Sequence, residues 1–416
     1  MRILVDQSGY DLLNIGDVAM LQSCVSRLQQ QWPDAEIMVI AHEPERLASY
    51  CPGTIAISRT LADLSLFRLI PQRFRLASEQ GWKMAAPYFS GRVDRRQPVR
   101  GKPCTAIQAV QAADIVVASG GGYVTDSWWW HAAGVLSLLS LAQRLGKPTA
   151  MFGQGIGPIG HHALRVQARS VLPKLKVIGL REDRIGRDLV LSYGMSPETV
   201  IVTGDDAFEL LCDATAVEGD ALGVNVRVTG YAGVKPAAAA AVGDLVLRTA
   251  AALQAPVVGL PVSRYAADAD IDAIRAAFNR STGVVLNDIA SPDSLISAAA
   301  SCRAIVTGSY HAAVFGLAQG VPAVCLTGSS YYAAKFGGLE ALFPGACFVV
   351  PLDTADYGSR LGAAIHQAWY LPVSARAAAR DAAQRLRDAG RVAYAQFRAE
   401  ADGSAVVAAN SRPDRL

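Results

Sequence analysis

The chain of 416 residues reads as an α/β protein built from two doubly wound, Rossmann-like domains. Three observations predict this. Short β-branched apolar runs alternate with Ala-, Leu- and Gln-rich helical patterns almost throughout. The runs are continuous and not alternating, as expected of parallel strands covered on both faces. The length exceeds one ordinary domain and suits two.

Taken in order, the strands of the first half are expected at 3–5, 37–41, 115–118, 149–152, 177–180 and 200–202. Those of the second half are expected at 222–226, 256–260, 284–286, 304–306, 323–326 and 348–350. Helical patterns lie between them, notably at 18–31, 131–145, 238–253 and 295–300. The boundary falls near 204–221, dividing the chain into domains at 1–210 and 211–372. The tail 373–416 follows, helical to about residue 401 and expected to cross back to the first domain. Segment 53–108 breaks the rhythm: it holds Pro71, Pro87, Pro98, Pro103 and several Arg, and reads as an irregular insertion.

Composition excludes several classes. Half of the chain (51%) is apolar and 18% is charged, which favours a large core over disorder. A net charge of +3 is too small to argue for nucleic acid. Arg92, Arg95, Arg96, Arg100 and Lys102, interrupted by Asp94, form either a solvated loop or a contact for an anionic acceptor or membrane surface. The seven cysteines form no C-x-x-C pair and sit mostly in apolar segments, which suits a reducing cytoplasm. The amino terminus reads as a strand and not a signal peptide. No apolar stretch approaches the roughly 18 residues of a membrane helix. A cytoplasmic protein is expected, with peripheral membrane association through the basic cluster as an option.

Doubly wound sheets bind ligands beyond the carboxyl ends of their strands, so the loops there are the candidate sites. Asn14-Ile15-Gly16-Asp17 follows the first strand; Asp17 either caps the next helix or contacts substrate. Ser119-Gly120-Gly121-Gly122 follows the strand at 115–118, where glycines let backbone amides approach a ligand or simply turn tightly. Asp126 and Trp128-Trp129-Trp130 come next, and the indoles suit either a sugar-binding surface or partial core burial. Gly153-Gln154-Gly155-Ile156-Gly157-Pro158 matches neither a Walker loop nor a dinucleotide fingerprint, and reads as a close-packed loop. Arg181 ends a strand, where it either clamps a carboxylate or phosphate or pairs with Glu182 or Asp183. His311 lies in Thr307-Gly308-Ser309-Tyr310-His311, where a strand meets a helix amino terminus; it suits proton transfer or a structural role. The other five histidines (42, 131, 161, 162 and 366) show no metal-ligand spacing, so no zinc is expected, and His161-His162 suits a solvated helix start.

In sequence order, N-I-G-D (14–17), G-G-G-Y (120–123), G-Q-G-I-G-P (153–158), L-R-E-D (180–183), T-G-D-D (203–206) and G-S-Y-H-A (308–312) with G-V-P (320–322) resemble the polysaccharide pyruvyl transferase family. The resemblance implies two domains facing a cleft, similar to the GT-B glycosyltransferase architecture. It also implies transfer of the enolpyruvyl unit of phosphoenolpyruvate to two hydroxyls of a sugar, on a polysaccharide or glycolipid precursor, forming a pyruvate ketal without a cofactor. On this resemblance His311 is catalytic. Arg181, Lys335, Ser309 and Tyr310 bind the donor. Asn14, Asp17, Gly121, Gly122, Asp126, Gln154 and Asp205 line the cleft or hold the acceptor. The family commonly has Arg two residues before the histidine, where this chain has Ser309. Lys335, Arg264 or Arg303 then supplies the missing charge, or the donor differs, or activity is reduced. The alternatives are a nucleotide-sugar glycosyltransferase, on the same architecture and glycine loops, and a diverged glycan-binding homologue without turnover.

Overall fold

A computed structural model describes residues 1–58, 105–210, 219–278, 284–286 and 289–410, the last seven by backbone only. The basic cluster at 92–102, most of the expected insertion, and Cys104 and Cys212 lie outside the described residues.

The chain divides into two compact units. The first comprises Met1–Leu12, Met20–Asp206 and Asp388–Leu416; the second comprises Leu13–Ala19 and Ala207–Arg387. The first helix, α1 (Ile15–Gln31), thus starts with residues of the second unit. The last, Val373–Asn410, belongs to the second unit up to Arg387 and to the first from Asp388.

The first unit holds an eight-stranded, wholly parallel sheet. Its strands are β1 (Arg2–Asp6), β2 (Glu36–Ile40), β3 (Ile55–Ile57), β4 (Ile115–Ala118), β5 (Gly121–Val124), β6 (Thr149–Ile156), β7 (Val177–Leu180) and β8 (Val200–Val202). The order is β3-β2-β1-β4-β6-β7-β8, with β5 pairing the far end of β6. Strands β1 and β4 are fully buried beyond Arg2, as expected with helices on both faces.

The second unit holds a six-stranded parallel sheet of β9 (Ala221–Asn225), β10 (Val257–Gly259), β11 (Val284–Leu286), β12 (Cys302–Thr307), β13 (Ala323–Thr327) and β14 (Cys347–Pro351). Its order, β11-β10-β9-β12-β13-β14, is the 3-2-1-4-5-6 arrangement of doubly wound nucleotide-binding folds. Each sheet reverses its winding direction beside its first strand, between β1 and β4 and between β9 and β12. Ligands of such sheets bind at those switch points.

All twelve expected strands are present, with ends shifted by a few residues at most. Two were not expected: β3, which lies at the start of the segment read as an insertion, and β5, which lies in the glycine run. The strand expected at 149–152 continues as β6 through Ile156, so the G-Q-G-I segment is largely strand and not loop. Gly153 makes this possible. Its φ of +56° places a bulge where the β6–β7 register shifts.

Candidate functional site

At the switch point of the second sheet, β12 ends at Thr307 and the helix Tyr310–Ala318 starts three residues later. The turn is short and tied down. Gly308 N donates to Asn225 O at 2.9 Å. Thr307 Oγ1 accepts from Ser309 N at 2.8 Å and donates to Ser309 O at 3.0 Å. A Cβ on Gly308 would lie 3.1 Å from Arg227 N, a tight approach that would push the turn away from the residues following β9. The helix is apolar on every side and buried from Tyr310 to Leu317, so it is a core element. That burial fixes the position of His311, which is 7% exposed in its first turn.

The imidazole packs on N-I-G-D. A Cβ built on Gly16 would stand 1.9 Å from His311 Nδ1, and the absence of that atom makes the place for the ring. N-I-G-D is docked there by backbone pairing. Ile15 N donates to Val262 O at 3.0 Å, Arg264 N donates to Leu13 O at 2.8 Å, and Asn14 bridges to Ser263. The helix cap falls to Asn14, whose Oδ1 accepts from Gly16 N at 3.0 Å and Asp17 N at 3.3 Å. Asp17 therefore does not cap a helix starting at residue 18. The helix starts at Ile15, and Asp17 lies in its first turn, where a carboxylate complements the macrodipole.

Two cations adjoin the segment that carries the histidine, Lys335 over Tyr310 and Arg227 beside Gly308. The Lys335 ammonium stands 4.9, 5.1 and 5.6 Å from the ring centres of Tyr310, Tyr331 and Tyr332, and 3.4 Å from Tyr331 Oη. Arg227, just beyond β9, is 6% exposed. Its guanidinium pairs with Asp270 at 2.8 Å and Asp268 at 2.9 Å, and its Nε donates to Tyr231 Oη at 3.0 Å. Burial opposes its charge, but Asp270 and the surrounding tyrosines hold it well above the ordinary arginine range. Asp270 is itself anchored, accepting from Asn225 Nδ2, Val262 N and Ser263 N. Arg227, Asp268, Asp270 and Tyr231 escaped the sequence reading. The signal was available, since Arg227 ends an apolar run just as Arg181 does.

Ser309 occupies the N-cap position of its helix, 4% exposed, and makes no capping hydrogen bond. Of the cations expected to replace an arginine there, Lys335 lies over Tyr310. Arg303 sits at the opposite end of β12, its Nε donating to Trp369 O at 2.9 Å. Arg264 Nη1 reaches Ala290 O at 3.5 Å.

The remaining candidates lie in the first unit, and close packing accounts for many of them. Arg181 is 2% exposed and pairs with Asp205 at 3.0 Å, while its Nε donates to Gly153 O at 2.9 Å. The local pairing with Glu182 or Asp183 does not form. Glu182 instead accepts from Ile185 N and Gly186 N at 3.2 Å, steadying the next helix. L-R-E-D, T-G-D-D and G-Q-G thus meet at one point. Asp206 extends the network, pairing with Arg27 at 2.9 Å and accepting from Tyr394 Oη at 3.0 Å. Burial, which outweighs the attraction of Arg27, raises the Asp206 carboxyl to about 6.

Gly121 has no room for a Cβ, which would stand 2.2 Å from the Tyr123 ring, and the Cβ position of Gly155 is 3.4 Å from Gly122 Cα. Asp126 accepts from Gly160 N at 2.7 Å and His161 N at 2.9 Å. His161 is the N-cap of helix His162–Val171, as a helix start was expected there. Trp129 stacks on His161 and on Trp130, while Trp128 and Trp130 stay 41% and 54% exposed. Among the described residues no cluster of His, Cys, Asp and Glu is placed to hold a metal ion, and no helix is long and apolar enough to cross a membrane.

Solved structures share this architecture at low identity. A putative UDP-N-acetylglucosamine 2-epimerase from Listeria monocytogenes superposes with a TM-score of 0.56 and 10% identity, over 100% of this chain and 98% of that one. S. aureus MnaA, solved with UDP, gives 0.56 and 13%, over 88% and 89%. The glycotransferase of kitacinnamycin gives 0.51 and 11%, over 96% and 97%. These likenesses place the fold among the GT-B glycosyltransferases and UDP-GlcNAc 2-epimerases. No curated protein matches the sequence. The profile of one family, described as Polysaccharide pyruvyl transferase, matches residues 14–330, from the N-I-G-D that meets His311 to beyond the helix that carries it, and the chain belongs to that family.

Proposed function

We propose that this transferase moves the enolpyruvyl unit of phosphoenolpyruvate onto two hydroxyls of a sugar in a polysaccharide or glycolipid precursor, forming a pyruvate ketal. The observation that carries the reading is the seating of His311 against Gly16, with the Lys335 ammonium over the neighbouring Tyr310 ring. Phosphoenolpyruvate carries a carboxylate and a phosphate, and its site needs fixed positive charge and oriented N–H groups. Asp268 and Asp270, two carboxylates on one guanidinium, more than offset the charge of Arg227, so its part is to set direction. The attraction comes from Lys335 and the amino end of the helix at Tyr310.

The reaction balances with one proton carrier. The donor's methylene carbon takes a proton, one sugar oxygen bonds to the adjacent carbon, and the bond from that carbon to the phosphate oxygen breaks. The second sugar oxygen then closes the ketal. Of the two hydroxyl protons released, one is equivalent to that gained by the new methyl group and the other leaves with phosphate. An imidazole can give and take such protons near neutral pH. Five buried free thiols (Cys24, Cys51, Cys302, Cys325 and Cys347) support a reducing cytoplasmic setting.

The test is phosphate release from phosphoenolpyruvate in the presence of lipid-linked and nucleotide-linked sugars. His311→Ala is expected to lower turnover by about 10²–10⁴-fold while donor binding persists. Release that is absent in the wild type, or equal in the variant, ends the reading. Thermal stabilisation by UDP or GDP compounds, and not by phosphoenolpyruvate, transfers it to a nucleotide-sugar glycosyltransferase.

A further inference from the structure

The switch point of the first sheet is chemically unlike that of the second. Asp6 ends β1, and Ser8, two residues on, is expected on the same side of the extended chain. Ser8 Cβ lies 3.1 Å from the place a Gly121 Cβ would occupy, and Gly121 pairs in register with Gln154 of β6. Gln154 is 1% exposed, and its amide orientation is forced. Nε2 donates to Ser119 O at 2.6 Å, Tyr123 Oη at 3.0 Å and Phe152 O at 3.1 Å, so a flipped amide would set its oxygen against two carbonyls. Gln154 Oε1 therefore stays an acceptor. It is buried without a hydrogen-bond partner among the described residues, as is Ser8 Oγ.

The Asp6 carboxylate completes the set. Its Oδ1 accepts from Gln7 N at 2.9 Å and Tyr10 Oη at 3.0 Å. Three rings wall the cluster: His131 lies 5.1 Å from Tyr10 and 4.7 Å from Tyr123, centre to centre. Ser8, Tyr10 and His131 are its half-buried members, while Ser8 Oγ and Gln154 Oε1 are themselves buried. An amide oxygen and a carboxylate accept and never donate, and a serine hydroxyl does either. Their ligand must be rich in donors and carry apolar edges for the rings, which describes a sugar and excludes a polyanion.

We propose that Ser8, Gln154 and Asp6, walled by Tyr10, Tyr123 and His131, form a pyranose-binding subsite that holds the hydroxyls of the acceptor glycan. The role as acceptor subsite rests on the pyruvyl-transfer reading; the affinity for a sugar does not. The test is saturation-transfer NMR of the full chain with methyl β-D-galactopyranoside, methyl β-D-glucopyranoside and methyl α-D-mannopyranoside. It is run alongside thermal shift with phosphoenolpyruvate, on the wild type, Ser8→Ala and His131→Ala. The expected result is transfer to at least one pyranoside, weakened roughly five- to tenfold in apparent affinity by Ser8→Ala, as for one lost hydrogen bond, with the phosphoenolpyruvate shift unchanged. No transfer to any of the three in the wild type, or undiminished transfer in both variants, overturns the proposal. Pyranoside binding without a phosphoenolpyruvate shift leaves the subsite standing and sinks the donor assignment alone.

Discussion

At the scale of single residues, the site depends on an atom that is missing. Gly16 has no side chain because His311 fills the space, and its backbone is helical, so alanine meets no conformational penalty there. The added methyl nevertheless overpacks the buried ring, so Gly16→Ala is expected to cost about 1–3 kcal/mol in urea unfolding and to displace the imidazole. A catalytic group displaced by about 1 Å loses about 100-fold in rate, read as turnover in the phosphate-release assay. Lys335 gives the complementary prediction. Lys335→Met keeps the aliphatic stem among Tyr310, Tyr331 and Tyr332 and removes the charge. The KM for phosphoenolpyruvate should rise by about 10-fold or more, as for one charge-assisted contact, while the affinity for pyranosides stays. A KM that does not move removes Lys335 from the donor site.

At the scale of elements, one bulge organises the first sheet. Gly153 turns its carbonyl toward Arg181 Nε, shifts the β6–β7 register and brings Gln154 opposite Gly121. A side chain there meets two penalties. The left-handed backbone costs an L-residue about 1–2 kcal/mol, and its Cβ would stand 3.0 Å from Asp206 Cγ. Gly153→Ala is expected to destabilise the protein by at least that amount in urea unfolding and to weaken the Arg181–Asp205 pair. Gly155→Ala, whose nearest neighbour is at 3.4 Å, serves as the mild control. In the second unit the corresponding rigid element is the helix Tyr310–Ala318, apolar on all sides and so unable to rotate without exposing core.

At the scale of the whole molecule, the chain ends far from its start yet completes the first unit. Tyr394, in the last helix, stacks on Phe152 at 3.7 Å and donates to Asp206, which pairs with Arg27. Burial holds the Asp206 carboxyl near 6 instead of its usual 3.8. A carboxyl that resists ionisation favours the folded chain in acid. The contribution is complete below about pH 4 and is lost as pH climbs through about 6. Asp206→Asn cannot ionise, so its melting temperature relative to wild type should rise between pH 4 and pH 7. A constant gap across that window contradicts the buried, acid-favouring carboxyl.

Much of this was legible in sequence. Twelve of the strands, the helical tail and the ordered motifs follow from patterns local to the chain, because apolar periodicity and strand-end loops need only neighbouring residues to be recognised. Strand β5 was not legible, since Gly121 and Gly122 carry no apolar signal and pair only because β6 lies beside them. The partners of charged groups were not legible either. Arg181 was expected either to clamp an anionic donor or to pair with Glu182 or Asp183, and it pairs with Asp205; nothing local to Arg227 pointed to its partners Asp268 and Asp270. Sequence alone determined the architecture and the family, because hydrophobic patterning and the ordered motifs are written along the chain. Only the tertiary structure decided that Gly16 makes room for His311 and that Asn14, and not Asp17, caps the helix. Gly16 and His311 lie almost 300 positions apart, and the Asn14 cap, though local, depends on where the docked N-I-G-D lets the helix start.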